Sequence, residues 1–229
     1  MNAIITAATK GIGKAIAIKL AQSGYNLSLC ARTAADLVEL QKELETYGVK
    51  IFVKPTDLSS KADVLAFAEF SLSSFNKIDV LVNNAGVFIP GLLLDEETES
   101  FELQQGVNIN ATYLMSKRIG KSMQLNNTGH IFNICSVASL APADNAGSYS
   151  VTKAAMLSLN NVLRKELSSH NVKVTAILPG STLTSSWIGT QINPERFVQP
   201  ADIANSLYSI LNLSDGVNVD EIVMTPLKF

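Results

Sequence analysis

The stretch that decides the fold is Thr6-Ala7-Ala8-Thr9-Lys10-Gly11-Ile12-Gly13, which joins a short apolar run to a longer segment with helical periodicity. The run Ala3–Thr6 has the composition of a buried strand, and Ile12–Gln22 is predicted to be a helix. Gly11 and Gly13 open that helix. Because glycine has no Cβ, the free N–H groups of the first turn stay open to an anion, which the helix dipole also favours. The stretch therefore predicts a phosphate-binding turn.

The same alternation of short β-branched runs and longer helical segments continues along the chain. Further strands are predicted at Leu27–Ala31, Val49–Lys54, Val80–Val82, His130–Cys135, Val172–Leu178 and Glu221–Thr225. Further helices are predicted at Ala35–Tyr47, Ala62–Phe75, Phe101–Gln124, Ser148–Ser168 and Ala201–Leu211. The strands hardly alternate between polar and apolar residues, which is typical of strands covered on both faces by helices. The pattern predicts an α/β fold: a Rossmann-like doubly wound parallel sheet of about seven strands flanked by helices, forming one domain over residues 1–229, with its ligand site at the carboxyl ends of the strands.

Composition and charge exclude several classes of protein. Hydrophobic residues make up 47% of the 229 residues and charged residues 17%, with a net charge of −2, so neither disorder nor a nucleic-acid or membrane-surface partner is expected. Two histidines and two cysteines lie far apart, which argues against a metal site. Cys30 and Cys135 end apolar runs and are interpreted as buried thiols. Without room for a signal peptide or a membrane span, the expected compartment is the cytoplasm.

The phosphate turn resembles that of the short-chain dehydrogenase/reductase family, Thr-Gly-x-x-x-Gly-x-Gly. Ala7 stands where the family has its first glycine. If that position needs a positive φ, alanine costs on the order of 1 kcal/mol, and we expect the turn to survive with slightly weaker cofactor binding. The resemblance extends from Asn2 to about Thr225. It implies a homo-oligomer, a dimer or tetramer, that pairs through the helices carrying Asn108 and Tyr149.

The end of the second strand carries the signal for the dinucleotide. No acid lies there to hold a ribose 2′-hydroxyl, and Arg32 offers a planar, permanently charged group suited to a 2′-phosphate. The Thr33 hydroxyl can add a hydrogen bond, and Lys10 can reach the same phosphate. In the family, basic residues at these two places accompany NADP(H), which is therefore the predicted cofactor. The alternative is that both cations are merely solvated.

Further cofactor contacts are implied by the resemblance. Asp57 matches the family acid that meets the adenine, residues 83–86 match the Asn-Asn-Ala-Gly loop along the adenosine ribose, and Thr184 is assigned to the nicotinamide carboxamide; a plain loop is the alternative for the Pro-Gly turn before Thr184. The predicted cofactor-binding residues are Thr6, Lys10, Gly11, Ile12, Gly13, Arg32, Thr33, Asp57, Leu58, Asn84, Ala85, Gly86, Tyr149, Lys153, Pro179, Gly180 and Thr184.

The candidate catalytic residues follow the fifth strand. Tyr149 and Lys153 are spaced i and i+4 on one helix face, and Ser136 lies thirteen residues before Tyr149, as in the family. A nearby ammonium stabilises an ionised phenol, so Tyr149 is predicted to act as general acid in reduction and base in oxidation. The resemblance assigns Ser136 to the substrate oxygen and Lys153 to the nicotinamide ribose. Asn108 is assigned to a water-linked proton relay, with Asn110 as its competitor.

The segment Ser181–Gln199 is predicted to cover the substrate, and its apolar side chains either line a pocket or pack on the core. The favoured function is hydride transfer between NADP(H) and a carbonyl or alcohol carbon of a ketone, aldehyde or 3-oxoacyl substrate. One alternative is a 3-oxoacyl-carrier-protein reductase, which would need a basic surface beside Ser181–Gln199. A non-catalytic NADP(H)-binding sensor is the alternative from another class.

Overall fold

The structure, a computed structural model that describes residues 1–228, is built on one parallel sheet of seven strands. The strand order is β3-β2-β1-β4-β5-β6-β7, and every neighbouring pair is parallel. The strands are β1 Asn2–Ile5, β2 Asn26–Ala31, β3 Ile51–Pro55, β4 Val80–Asn83, β5 Gly129–Ile134, β6 Val172–Pro179 and β7 Glu221–Met224. The predicted fold class is confirmed.

Helices cover both faces of the sheet. They are α1 Gly11–Gln22, α2 Ala34–Glu45, α3 Lys61–Ser74, α4 Thr98–Gln104, α5 Ala111–Asn126, α6 Gly147–Leu167 and α7 Pro200–Leu211. Short 3₁₀ turns lie at Val137–Ser139, Ser168–His170, Ser185–Trp187 and Pro194–Arg196. Residues of α1, α2 and α7 form one apolar core with the sheet, and residues of α3 and α5 form a second. Two buried layers explain why the strand sequences hardly alternate.

The sheet reverses its winding between β1 and β4. Ile5 pairs with Leu29 of β2 on one side and with Val82 of β4 on the other. A strand order that reverses in this way opens a crevice at the carboxyl ends of the strands, where ligands of such sheets bind. The loops after β1, β4, β5 and β6 all begin at this edge.

The helix predicted at Phe101–Gln124 differs from the structure. The helical segment begins at Thr98, contains a π-helical turn at Gln105–Asn110 and continues as α5 to Asn126. A π turn contains one residue more than an α-helical turn. The apolar pattern was interpreted with a period of 3.6 residues, so it did not indicate the π turn. No helix within residues 1–228 combines the length and apolarity needed to cross a bilayer.

Candidate active site

The phosphate turn leaves the start of α1 open. Lys10 precedes the helix with extended backbone, and its side chain makes no capping hydrogen bond. Gly11 has a φ of +52°, a conformation that favours glycine. A Cβ on Gly13 would lie 2.4 Å from the Ala7 carbonyl oxygen, so no larger residue fits there. The N–H groups of the first turn are therefore available to an anion.

The turn is fixed to the loop that follows β4. The Asn84 amide donates to the carbonyl oxygens of Thr6 and Ala7 at 3.0 and 3.1 Å. The Thr6 hydroxyl accepts hydrogen bonds from the backbone N–H groups of Asn84 and Ala85 at 3.0 and 3.1 Å. Ala7 has a φ of +52°, so this position does adopt the positive φ that favours glycine. Thr6 and Asn84 thus hold each other and shape the turn from beneath.

The residues predicted to select the dinucleotide lie in the loops after β1 and β2, and Asp57, predicted to meet the adenine, follows β3. Arg32 and Thr33 are exposed beside the start of α2. Lys10 forms an ion pair with Asp36, with 3.4 Å between Nζ and Oδ2. Hydrogen bonds from the Ser59 amide and hydroxyl, and then the charge of Arg32, lower the pKa of Asp57. Arg32 and Lys10 therefore both lie close to this edge, and Lys10 is paired with the carboxylate of Asp36.

Helix α6 carries Tyr149 and Lys153 to the same edge. Lys153 is only 3% exposed, and its Nζ donates to the Ile134 carbonyl oxygen at 2.8 Å. This Nζ lies 5.8 Å from the centroid of the Tyr149 ring. A Cβ on Gly86 would lie 3.3 Å from the same Nζ, so only glycine leaves the space beside the ammonium open. The structure brings these three predicted residues together.

Asn108 lies in the π turn and connects it to α6. It is fully buried, and its Nδ2 donates to the Val87 carbonyl and to the Thr152 hydroxyl, both at 3.0 Å. Its Oδ1 accepts from the Val87 amide at 2.8 Å. Asn110, the competing residue, is exposed at the end of the turn. The Thr152 hydroxyl donates to the Tyr149 carbonyl at 2.9 Å.

Thr152 was missed by the sequence reasoning, although it lies between Tyr149 and Lys153. The signal that could have found it is its place one turn after Tyr149, where a threonine hydroxyl can reach the main chain of the preceding turn.

Ser136 begins the 3₁₀ turn after β5. It is largely buried, and its Oγ accepts a hydrogen bond from the Ala138 amide at 3.1 Å. Its backbone N–H donates to the Ser139 hydroxyl at 3.3 Å. The two bonds fix the orientation of Ser136 while its hydroxyl proton remains available to a substrate oxygen.

The loop between β4 and α4 is attached to the start of α6. The Gly91 amide donates to the Asn145 carbonyl at 2.9 Å, and the Gly147 amide donates back to Gly91 at 3.1 Å. The hydroxyl of Ser148, the residue before Tyr149, donates to the Glu96 carboxylate and so attaches the far end of the loop to α6. These bonds link segments more than fifty residues apart, and no local pattern in the sequence indicates them.

Phe88 of this loop touches the candidate acid. Its ring meets the Tyr149 ring edge to face, with 5.0 Å between centroids and 73° between planes. Phe88 was also missed by the sequence reasoning, because a single aromatic residue in a loop has no periodic partner.

The segment after β6 closes against the phosphate turn. Pro179 ends β6, and the Gly180 amide donates to the Met224 carbonyl at 2.7 Å. A Cβ on Gly11 would lie 3.0 Å from Thr184 Cγ2, so Thr184 packs directly over the turn. Ile12 is partly exposed beside it, and Leu58 is buried under the loop after β3. The residues predicted from sequence to bind the cofactor thus lie at the carboxyl ends of the strands or in the loops and helices that follow them.

The apolar residues of Ser181–Gln199 have two different environments. Phe197 is buried and its ring meets that of Trp187 edge to face at 4.9 Å. Ile188 is 86% exposed, and Ile192 is partly exposed. The segment is thus anchored on the core at one end while Ile188 faces solvent.

Both thiols are shielded. Burial raises the pKa of Cys30 to about 12 and that of Cys135 to about 11, so both stay protonated at neutral pH. No cluster of three or more metal-ligating side chains occurs among residues 1–228.

The residues of this edge fit a nicotinamide dinucleotide. The uncapped start of α1 suits a pyrophosphate, and the open space at Gly86 beside the buried Lys153 ammonium suits a ribose hydroxyl.

Comparison with known proteins agrees with this fit. The family model for short chain dehydrogenase matches residues 1–193. An uncharacterized oxidoreductase of Staphylococcus aureus is 30% identical over 225 residues, which cover 98% of this chain and 96% of the relative. A solved metagenomic short-chain oxidoreductase in complex with NADP has a TM-score of 0.86 at 30% identity, covering 99% of this chain and 96% of its own. An alcohol dehydrogenase from the archaeon Thermococcus sibiricus complexed with 5-hydroxy-NADP has a TM-score of 0.91 at 28% identity, with the same coverage.

Fold and site together define a nicotinamide-dependent oxidoreductase of the doubly wound α/β class. The chain belongs to the short-chain dehydrogenase/reductase family. The resemblance stated from sequence is thereby confirmed, as is the prediction that the protein is an enzyme.

Proposed function

We propose that this enzyme reduces the carbonyl group of a ketone or aldehyde with NADPH, and oxidises the corresponding alcohol in reverse. The observation that carries the proposal is that Lys153, which lies beside Tyr149, also reaches the strand end that leads to Ser136. Its ammonium donates to the carbonyl of Ile134, two residues before Ser136. A phenol, an ammonium and a hydroxyl in one cleft can donate a proton to a substrate oxygen and orient it.

When bound, the nicotinamide supplies or accepts the hydride. Tyr149 donates a proton to the carbonyl oxygen during reduction, and it takes a proton from the alcohol in the reverse direction. Ser136 donates a hydrogen bond to the same oxygen and orients it. Lys153 places its positive charge beside the Tyr149 ring and holds the ribose side of the cleft. Asn108 keeps the π turn against Thr152, which in turn holds the carbonyl of Tyr149.

The proposed cofactor is NADP(H) rather than NAD(H). Arg32 lies exposed at the end of β2, and residues 32–35 contain no acid that would favour a free 2′-hydroxyl. Two structural relatives were solved with NADP or a derivative of it. Lys10 adds a second cation, although its pairing with Asp36 reduces what it offers to a phosphate.

We further propose a homo-oligomer that forms through α5 and α6 and works in the cytoplasm as one domain. Each of these helices exposes apolar side chains, with Tyr113 on α5 and Val151 and Val162 on α6 each about half exposed. Burial of such a surface between copies would be favourable. Two unpaired cysteines agree with a reducing compartment.

The test of the proposed function is the oxidation of NADPH by a panel of carbonyl compounds. We expect Tyr149→Phe to lower kcat by about 10³-fold or more while NADPH still binds, because a phenyl ring cannot donate the proton. Tyr47→Phe, which removes a partly exposed phenol hydroxyl near the end of α2, should leave kcat unchanged. Activity retained in Tyr149→Phe would contradict the mechanism. NADPH binding without turnover of any compound would favour the sensor instead.

A further inference from the structure

We infer that the substrate is a neutral carbonyl compound with an apolar group next to its carbonyl carbon, and that Phe88 determines this specificity. The inference rests on the proposed function, because it takes Tyr149 as the group that meets the substrate oxygen. It concerns the loops that follow β4, β5 and β6, residues 84–97, 135–147 and 180–199.

Phe88 is placed where the substrate must lie. Its ring packs against the ring of Tyr149 with 5.0 Å between centroids, and the residue is 48% exposed. A group bound with its carbonyl oxygen at the Tyr149 hydroxyl therefore lies beside a phenyl surface that no other part of the chain fully covers. Covering such a surface with a polar or hydrated group forfeits the gain from apolar burial.

The loop that carries this ring is attached to the start of α6 in the absence of substrate. The Gly91 and Gly147 hydrogen bonds and the Ser148–Glu96 contact attach the loop to α6 on both sides of Leu93. A Cβ on Gly147 would lie 2.9 Å from the Leu93 backbone nitrogen, which shows how closely the two segments pack. A preorganised apolar wall binds without the cost of ordering a loop.

The neighbouring loops add apolar surface. Leu140 follows the 3₁₀ turn that starts at Ser136, and Ile188 lies in the segment after β6; both are more than half exposed, as are Leu92 and Leu93 of the Phe88 loop. Single exposed apolar residues are ordinary, but exposed apolar residues on three loops at one edge of the sheet indicate a binding surface.

The charges of the three loops disfavour anions. Residues 84–97, 135–147 and 180–199 contain five carboxylates, and their single cation is Arg196. The Arg196 side chain donates to the Lys228 carbonyl at 3.3 Å, on the side of the segment that faces the chain terminus. Lys153 is the remaining cation nearby, and it is buried and donates to Ile134. An anionic substrate, including a group presented by an acidic carrier protein, would therefore approach a surface of its own sign.

The experiment compares substrates that differ in charge or in polarity. Ethyl benzoylformate and benzoylformate share a phenyl ketone and differ by one negative charge and the ethyl group of the ester, and dihydroxyacetone is neutral but polar. We expect kcat/KM for the ester to exceed that for dihydroxyacetone by about tenfold or more, since partial burial of a phenyl group alone contributes this much. We expect a margin of about tenfold or more over the anion as well, since the carboxylates of the three loops repel a negative charge.

Variants of Phe88 isolate the role of the ring. Phe88→Ala should raise KM for ethyl benzoylformate about tenfold with a smaller effect on kcat, and should change dihydroxyacetone turnover less than threefold. Phe88→Leu, which keeps an apolar side chain, should recover most of the loss. Leu125→Ala removes an exposed apolar residue at the end of α5 and should change neither substrate. Equal losses on both substrates in Phe88→Ala, or faster turnover of the anion, would overturn the inference.

Binding separates this inference from the proposed function. Ethyl mandelate and mandelate can be titrated calorimetrically into the NADPH-saturated enzyme, where no hydride acceptor is present. Tighter binding of the ester, lost in Phe88→Ala, supports the inference even if no ketone of the panel is reduced. Equal or tighter binding of mandelate overturns it even if the enzyme reduces ketones.

Discussion

The side-chain amide of Asn84 donates to the carbonyl oxygen of Ala7 at 3.1 Å and so holds a non-glycine residue in left-handed backbone conformation. The φ of Ala7 is +52°, where a Cβ costs on the order of 1 kcal/mol. This contact joins the loop after β4 to the loop after β1, and it lets the phosphate turn keep its shape without the glycine that the family has there.

We expect Ala7→Gly to bind NADPH as tightly as the natural enzyme or up to about fivefold more tightly, because the substitution removes roughly 1 kcal/mol of strain at most. Fluorescence titration of NADPH measures this directly. Ala8→Gly is the matched control, since Ala8 is buried without a positive φ and has no strain to release. A loss of NADPH affinity in Ala7→Gly would show that alanine itself contributes to the turn.

We expect Arg32→Asp to shift the preference toward NADH by about ten- to a hundredfold, because it removes one charge-assisted hydrogen bond to a 2′-phosphate and supplies an acceptor for a 2′-hydroxyl. The ratio of NADPH to NADH dissociation constants measures the shift. Lys42→Asp reverses an equivalent charge in the last turn of α2 and should move this ratio less than threefold. An unchanged ratio in Arg32→Asp would refute the assignment of Arg32.

We expect Thr152→Val to lower the free energy of unfolding by about 1–3 kcal/mol, because the buried Asn108 amide loses an acceptor. Through displacement of Tyr149, kcat should fall about tenfold with little change in KM for NADPH. Thr152→Ser keeps the hydroxyl and should recover both quantities. If serine recovers stability without kcat, the Thr152 hydroxyl stabilises the fold and does not position Tyr149.

The stability of the protein should fall on mild acidification because of His130. Burial, and then the charge of Lys173, lower the pKa of His130 to about 3 from an ordinary value of 6.5. Its Nε2 donates to the Thr175 hydroxyl at 2.8 Å, since that hydroxyl gives its own proton to the Val219 carbonyl. Below pH 6.5 His130 binds a proton in the unfolded chain and stays neutral in the folded chain. The contribution of His130 to the free energy of unfolding is therefore complete above pH 6.5 and declines toward pH 3.

Between pH 7 and pH 5 this histidine should remove about 2 kcal/mol from the free energy of unfolding. Urea denaturation at the two pH values measures the loss. His130→Gln cannot take up the proton and should lose about 2 kcal/mol less over the same interval. Identical losses in the two proteins would assign the acid sensitivity to other groups.

The fold was predictable because its signals are local. Each strand is a short apolar run, and each helix start carries small or capping residues, such as Ser60 before α3, whose hydroxyl accepts from the Asp63 amide. Parallel order then follows from the alternation of strands and helices. The spacing of Ser136, Tyr149 and Lys153 was visible for the same reason, since two of the three lie on one helix.

The shape of the cleft was not predictable, because it depends on bonds between distant segments. Gly91 and Asn145, or Asn108 and Val87, reveal nothing of their pairing in sequence. Whether the apolar residues after β6 pack on the core or stay exposed was also not predictable. Phe197 is buried and Ile188 is exposed, although both are hydrophobic. Only the tertiary structure decides which of them a neighbouring element covers.

The π turn at Gln105–Asn110 fixes the length of the chain at this point. A π turn holds one residue more than a regular helical turn, so removing a single residue there would join α4 and α5 into one regular helix. The widened turn that places Asn108 against Val87 and Thr152 would then be lost, although α4 itself would stay in place. Evolution of this enzyme can therefore exchange side chains along the segment, but gains and losses of residues should accumulate elsewhere.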